Sequence, residues 1–176
     1  MNVRVLCEGQ LSLPLTVAEA VPLFTPEGER RWAGSAWDPV YAIPDAAGHG
    51  SAPGTVFTTE SDGGAAIWIV LDRREDGISY ARVAPGRIAG TITVSCAQAA
   101  APDQTRVTVS YDVTSLSPEG AAFARQLEAE YDEFLESWRR EILAALAGGR
   151  DSGAPAADSR LAPGGVSPAR SRRHAP

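Results

Sequence analysis

The chain contains no lysine; all sixteen of its basic residues are arginine. It has two cysteines, Cys7 and Cys96, and two histidines, His49 and His174. There is no CxxC pair, and two lone histidines do not make a zinc site, so no metal and no cofactor is expected. Each cysteine lies in an apolar, strand-like run. The expectation is a reduced, buried pair acting as small hydrophobes, since a disulfide would need them on adjacent strands. No run approaches the ~18 apolar residues of a membrane span. Residues 1–13 hold no long apolar leader, so a soluble, cytoplasmic protein is expected. A phosphate loop, a GxSxG elbow and a Ser/His/Asp spacing are also missing, and no other catalytic signature replaces them.

What charge there is divides unevenly. Residues 1–147 carry eleven arginines against twenty Asp and Glu, a net of −9, and residues 148–176 carry five against two, a net of +3. An acidic body repels phosphate, which argues against nucleic-acid binding by the folded part. Arg170, Arg172 and Arg173 read as part of a solvated tail. With 44% hydrophobic and 22% charged residues in 176, the chain suits one domain with a sizeable core, not a coiled coil, a collagen or a wholly disordered protein.

Residues 2–13 alternate, with Val3, Val5, Cys7, Leu11 and Leu13 on one face and Gly9 interrupting, as in a strand with one buried side. After Pro14, Thr16 and Glu19 form a capping-box pair for a short helix that Pro22 limits. Thr25-Pro26-Glu27 restarts the helical signal, and a second short helix is expected from Gly28 to Trp32. Six strand-like runs follow, at 39–44, 54–60, 65–73, 77–84, 87–98 and 104–114, separated by glycine, proline and aspartate turns. Short separators between strands make an antiparallel meander. Ser117-Pro118-Glu119 then opens a long helix to about Leu146. Its stripe of Phe123, Leu127, Tyr131, Phe134, Trp138, Ile142 and Leu146 is apolar, and Gly148-Gly149 ends it. Residues 148–176, rich in Arg, Ala, Gly and Pro, lack the apolar content to offset ordering and are expected as a disordered tail to a single domain at 1–147.

The expected fold is therefore α+β: a seven-stranded curved antiparallel sheet, two short helices after the first strand, and a long C-terminal helix packed over the sheet. Several segments carry a resemblance: Thr25-Pro26-Glu27-Gly28-Glu29, then Trp32, Gly34 and Trp37-Asp38-Pro39; Trp68-Ile69-Val70; Tyr80 through Gly86; and Leu116-Ser117-Pro118-Glu119-Gly120. Together they resemble uncharacterised bacterial members of the START/birch-pollen-allergen-like superfamily, whose fold is the helix-grip. The resemblance covers about residues 2–147. It implies a pocket between sheet and helix and binding of a small hydrophobic or aromatic molecule, lipid-like or polyketide-like. A cyclase or dehydratase activity and a protein-interaction role are the alternatives it leaves.

Trp32 and Trp37 either line the mouth of such a pocket or plug the sheet end against the short helices. Phe123, Leu127, Tyr131, Phe134 and Trp138 face the sheet and serve as core or as pocket wall. Trp68, in a segment that carries the resemblance, joins the candidate lining. Parity places Ile78, Tyr80 and Arg82 on one face, and Val56, Thr58 and Glu60 on another. If both look inward, Thr58, Glu60, Tyr80 and Arg82 form a polar patch, and a buried Arg82 demands a carboxylate or an anionic ligand; otherwise they make a sheet-edge salt bridge in water. Glu29 is expected as a solvated helix residue. A catalytic reading would draw an acid/base pair from Tyr80, Arg82, Glu60 or His49.

Overall fold

The alternation at the start of the chain becomes β1 (Arg4–Leu13), which buries Val5, Cys7, Leu11 and Leu13 and exposes the residues between them. The structure, a computed structural model, describes residues 1–43, 50–60 and 64–148. His49, His174 and the expected tail from Gly149 onward lie outside the described residues. Six more strands follow: β2 (Val40–Tyr41), β3 (Val56–Thr59), β4 (Ala66–Arg74), β5 (Gly77–Ala84), β6 (Ile88–Gln98) and β7 (Thr105–Ser115). They form one antiparallel sheet in the order β1-β7-β6-β5-β4-β3-β2. Short turns keep chain neighbours together. Only β1 crosses over, and it pairs with β7 from Arg4 opposite Thr114 to Leu13 opposite Thr105. Of the run expected at 39–44, residues 40 and 41 form β2, preceded by Pro39, which lacks the N–H a ladder requires, and Pro44 lies outside the described residues. In β4 a bulge at Leu71 shifts the register between Val70 and Asp72, which bends the sheet and sharpens its twist.

Between β1 and β2 stand α1 (Val17–Ala20), a 3-10 turn (Val21–Phe24) and α2 (Pro26–Glu29). The Thr16 backbone N–H and hydroxyl both donate to the Glu19 carboxylate, at 2.9 and 2.8 Å. Pro22 opens the 3-10 turn and does not break a helix. Helix α2 starts at Pro26, the first helical position after the Thr25 cap, and ends at Glu29, short of the expected Trp32. The Thr25 hydroxyl accepts the Gly28 N–H at 3.1 Å and donates to the Pro22 carbonyl at 2.8 Å. Any Cβ on Gly28 would sit 1.9 Å from that same carbonyl oxygen. Single turns carry the chain on to Trp32 and Ala33, whose N–H groups both reach the Glu29 carbonyl.

The single long helix expected after Ser117 is instead two, α3 (Pro118–Ala129) and α4 (Tyr131–Gly148), divided at Glu130 with φ −112° and ψ 15°. The apolar stripe runs through the break: Leu127, Tyr131, Phe134, Leu135, Trp138 and Ile142 are all buried. Helix α3 rests on β7 and β1, and α4 rests on β1. A straight rod cannot follow a twisted sheet over this length, so the helix bends where no stripe residue is lost. The chain's twelve aromatic residues all join this core: ten are buried, and Tyr41 and Phe123 are half-buried against it. Cys7 and Cys96 are free and buried on β1 and β6, with β7 between them. Burial pushes the Cys96 thiol up to about 11.

The first turn of α3 touches the end of the β5–β6 hairpin. Ser117 caps it by accepting the Gly120 N–H at 3.1 Å, and a Cβ at Gly120 would lie 1.8 Å from the Arg87 carbonyl oxygen. Gly120→Ala is expected to lower stability in urea unfolding by roughly 1–3 kcal/mol, the usual range for overpacking. Gly148→Ala, where an added Cβ meets nothing within 4 Å, is expected not to lower it.

Candidate functional site

The interior between sheet and helices is walled by two groups of rings. On β3, β4 and β5, Phe57 stacks on Trp68 with centroids 5.9 Å apart, and Tyr80 meets both edge-on. Trp37 closes this group at 5.2 Å from Trp68. The second group joins the short helices to α4. Trp138 lies 5.3 Å from Trp32 and 5.2 Å from Phe134, and Tyr111 on β7 stands 5.8 Å from Phe134 and 5.9 Å from Tyr131. Most polar tips of these rings are satisfied. The indole N–H groups of Trp32, Trp37 and Trp68 donate to the Leu23 carbonyl, the Pro26 carbonyl and the Thr59 hydroxyl at 2.8, 2.8 and 2.9 Å. The hydroxyls of Tyr80 and Tyr131 donate to the carbonyls of Phe24 and Val109, at 2.7 and 2.8 Å.

Among the described residues three buried side-chain polar atoms have no partner: Arg82 Nε, Glu29 Oε2 and Trp138 Nε1. Such orphans are rare in folded proteins because each forfeits its hydration. Arg82 follows the inward parity of β5 with Ile78 and Tyr80 and is 6% exposed. It stands opposite Trp68 on one side and Gly90, which presents no side chain, on the other. Its guanidinium carbon is 5.1 Å from the Trp68 ring centroid and 5.7 Å from that of Phe123 on α3. Among the described residues no carboxylate forms an ion pair with it. Burial lowers the pKa of this guanidinium below its ordinary value.

Glu29, the last residue of α2, is 4% exposed. Burial alone pushes its carboxyl well above the usual carboxylate range, toward a group that keeps its proton. Glu29 stands at the end of α2, and Arg82 on β5 faces the Trp68 ring.

The expected candidates separate accordingly. Trp32, Trp37 and Trp68 are buried and anchored by their N–H groups. Leu127, Tyr131, Phe134 and Trp138 are buried along α3 and α4, and Phe123 is half-buried over Arg82. Tyr80 and Arg82 share the buried face of β5 with Ile78, and the alternative of a sheet-edge salt bridge in water does not apply to them. Thr58 and Glu60 do not join them: Phe57 and Thr59 are the buried residues of β3, Thr58 is half-buried on the opposite face, and Glu60 is exposed. The segment 56–59 reads V-F-T-T, with an apolar and a polar residue on each face, and the bulk of Phe57 decides which face goes in. Glu29 corrects the sequence reading in the other direction, since it is buried. The available signal was its spacing. Glu27, two residues earlier and about 200° away around a helix, turns outward to accept from Arg30 at 3.0 Å and from the Tyr41 hydroxyl at 2.7 Å. Among the described residues no cluster of His, Cys, Asp and Glu is arranged to hold a metal ion, and no helix is long and apolar enough to cross a membrane.

A carboxyl with a raised pKa contributes stability that is complete below its unfolded pKa and is lost as pH rises through the folded one. Glu29→Gln, which has no proton to lose, should therefore unfold at a higher temperature than wild type at pH 7, with the two converging near pH 4. Melting curves of both proteins across that range check it.

No family model matches the chain, and no curated protein matches it. Solved structures do. A Thalictrum flavum norcoclaurine synthase point mutant, solved in complex with a transition-state analogue, is similar with a TM-score of 0.58 at 10% identity, over 85% of this chain and 98% of that one. Ara h 8.0201 gives 0.57 at 13% identity, over 82% and 99%. DynU16, from the dynemicin biosynthetic locus, gives 0.52 at 17% identity over 78% of this chain, which spans only 46% of that longer protein. At such identities the likeness is one of backbone architecture, and that architecture, a seven-stranded antiparallel sheet closed by C-terminal helices after two short ones, is the helix-grip fold.

Proposed function

We propose that the protein binds a small hydrophobic or aromatic molecule in the interior between its curved sheet and helices α3 and α4. The observation that carries this reading is the set of three unpartnered polar atoms, on Arg82, Glu29 and Trp138, in an interior otherwise made of rings. An apolar enclosure with a few convergent polar groups is the usual form of a small-molecule site. Similar folds support it: the norcoclaurine synthase holds a transition-state analogue, and DynU16 comes from a biosynthetic locus.

A second reading, cyclase-like or dehydratase-like catalysis, has one observation in its favour. Glu29 is a buried carboxyl biased toward its protonated form, and such a group donates protons in general acid catalysis. Two residues first considered for that role are placed differently, because the Tyr80 hydroxyl is committed to the Phe24 carbonyl and Glu60 is exposed.

Native mass spectrometry of protein purified from its own host tests binding. The expected result is a retained small molecule whose removal lowers the melting temperature; a ligand present at 100 times its Kd stabilises by about 2.7 kcal/mol. Protein that arrives empty, and that no aromatic or lipid-like compound stabilises, overturns the reading.

A further inference from the structure

The charge of Arg82 has no counterpart within the described protein. A guanidinium does not deprotonate in proteins, so burial here encloses a positive charge, which interiors tolerate when it is paired. Glu29 is the one buried carboxyl among the described residues, and it forms no ion pair with Arg82. It is also biased toward its uncharged form, in which it donates a hydrogen bond.

The geometry around Arg82 restricts what can approach it. Trp68 and Phe123 pack on the guanidinium within 5.1 and 5.7 Å of its carbon, while the unpartnered Nε lies at its edge. That planar edge, with parallel N–H groups, matches the paired oxygens of a carboxylate. Trp138 Nε1 is also a free donor. With Glu29 protonated, the three orphaned groups are all donors, and each is satisfied by an acceptor.

Resting on the binding reading above, we propose that the interior selects a hydrophobic or aromatic ligand bearing a carboxylate or an equivalent pair of anionic oxygens, seated on the edge of the Arg82 guanidinium between Trp68 and Phe123. A neutral ligand of the same shape would leave the enclosed charge unpaired. The charge of the ligand, more than its size, then sets affinity.

The test compares 2-naphthoate with its neutral isostere 2-naphthamide, by titration calorimetry on the full chain at pH 7. Naphthoate is expected to bind about tenfold more tightly or better. Arg82→Met is expected to abolish that preference while leaving amide binding in place. Should Arg82→Met fail to fold, Arg82→Lys keeps the charge without the planar fork and is expected to retain a reduced preference; the wild-type comparison decides the matter on its own. Equal affinity, or tighter binding of the amide, overturns the selectivity and leaves the binding reading standing. If neither probe binds, the molecule retained from the host decides: an organic acid supports the proposal, and a neutral compound overturns it. A protein that arrives empty, binds neither probe and is stabilised by no aromatic or lipid-like compound overturns both readings together.

Discussion

A positive charge enclosed by rings is the constraint around which this interior is arranged. Arg82 sits on β5, a central strand, only 6% exposed and with its guanidinium packed against Trp68 and Phe123. The protein meets part of the resulting desolvation with ring faces, since a cation over an aromatic ring recovers about 0.5–2 kcal/mol. It leaves the rest unmet. A buried polar group without a partner costs about 1–3 kcal/mol, against a total stability of about 5–15 kcal/mol for a typical domain. Three such groups are a heavy burden unless something else satisfies them.

The compensation is visible in how the apolar material is spent. Aromatic residues are only 7% of the chain, yet none is fully exposed. They form two ring groups, one on the sheet and one tying the short helices to α4, and all but one of the tryptophans bind their own backbone or a threonine through the indole N–H. Helix α4 bends away from α3 at Glu130 so that Tyr131, Phe134 and Trp138 stay seated on the twisted sheet. The long ladders of β6 with β7 and β1 with β7 hold the other side of the interior rigid. The framework is over-determined where it is apolar and under-satisfied where it is polar.

Much of this was legible in the sequence because the responsible signals are local. Alternation in 2–13, 87–98 and 104–114 identified strands with their faces, and proline after a capping serine or threonine marked the starts of α2 and α3. That Tyr80 and Arg82 share a face with Ile78 followed from their parity, whereas the direction of that face did not. Other features depend on distance in space. Both faces of β3 carry one apolar and one polar residue, so nothing within the segment announces that Phe57 goes in and Thr58 goes out. The break at Glu130 answers the twist of a sheet that no helical periodicity encodes. Glu29 looked solvated because glutamates on short helices mostly are; its burial follows from where α2 docks, and that docking depends on Gly28 passing against the Pro22 carbonyl.

The three unsatisfied groups stand on three separately built elements: Arg82 on β5, Glu29 at the end of α2, Trp138 in the middle of α4. No one of these elements contacts the other two through the orphaned atoms. A guest that met all three would bridge the sheet, the short helices and the terminal helix at once, and its binding free energy would add to the packing of each element on the others. Conversely, anything that loosened α4 from β1 would weaken the hold on such a guest. Under the proposed binding, recognition and folding would be coupled through a few polar residues set among the rings of this chain.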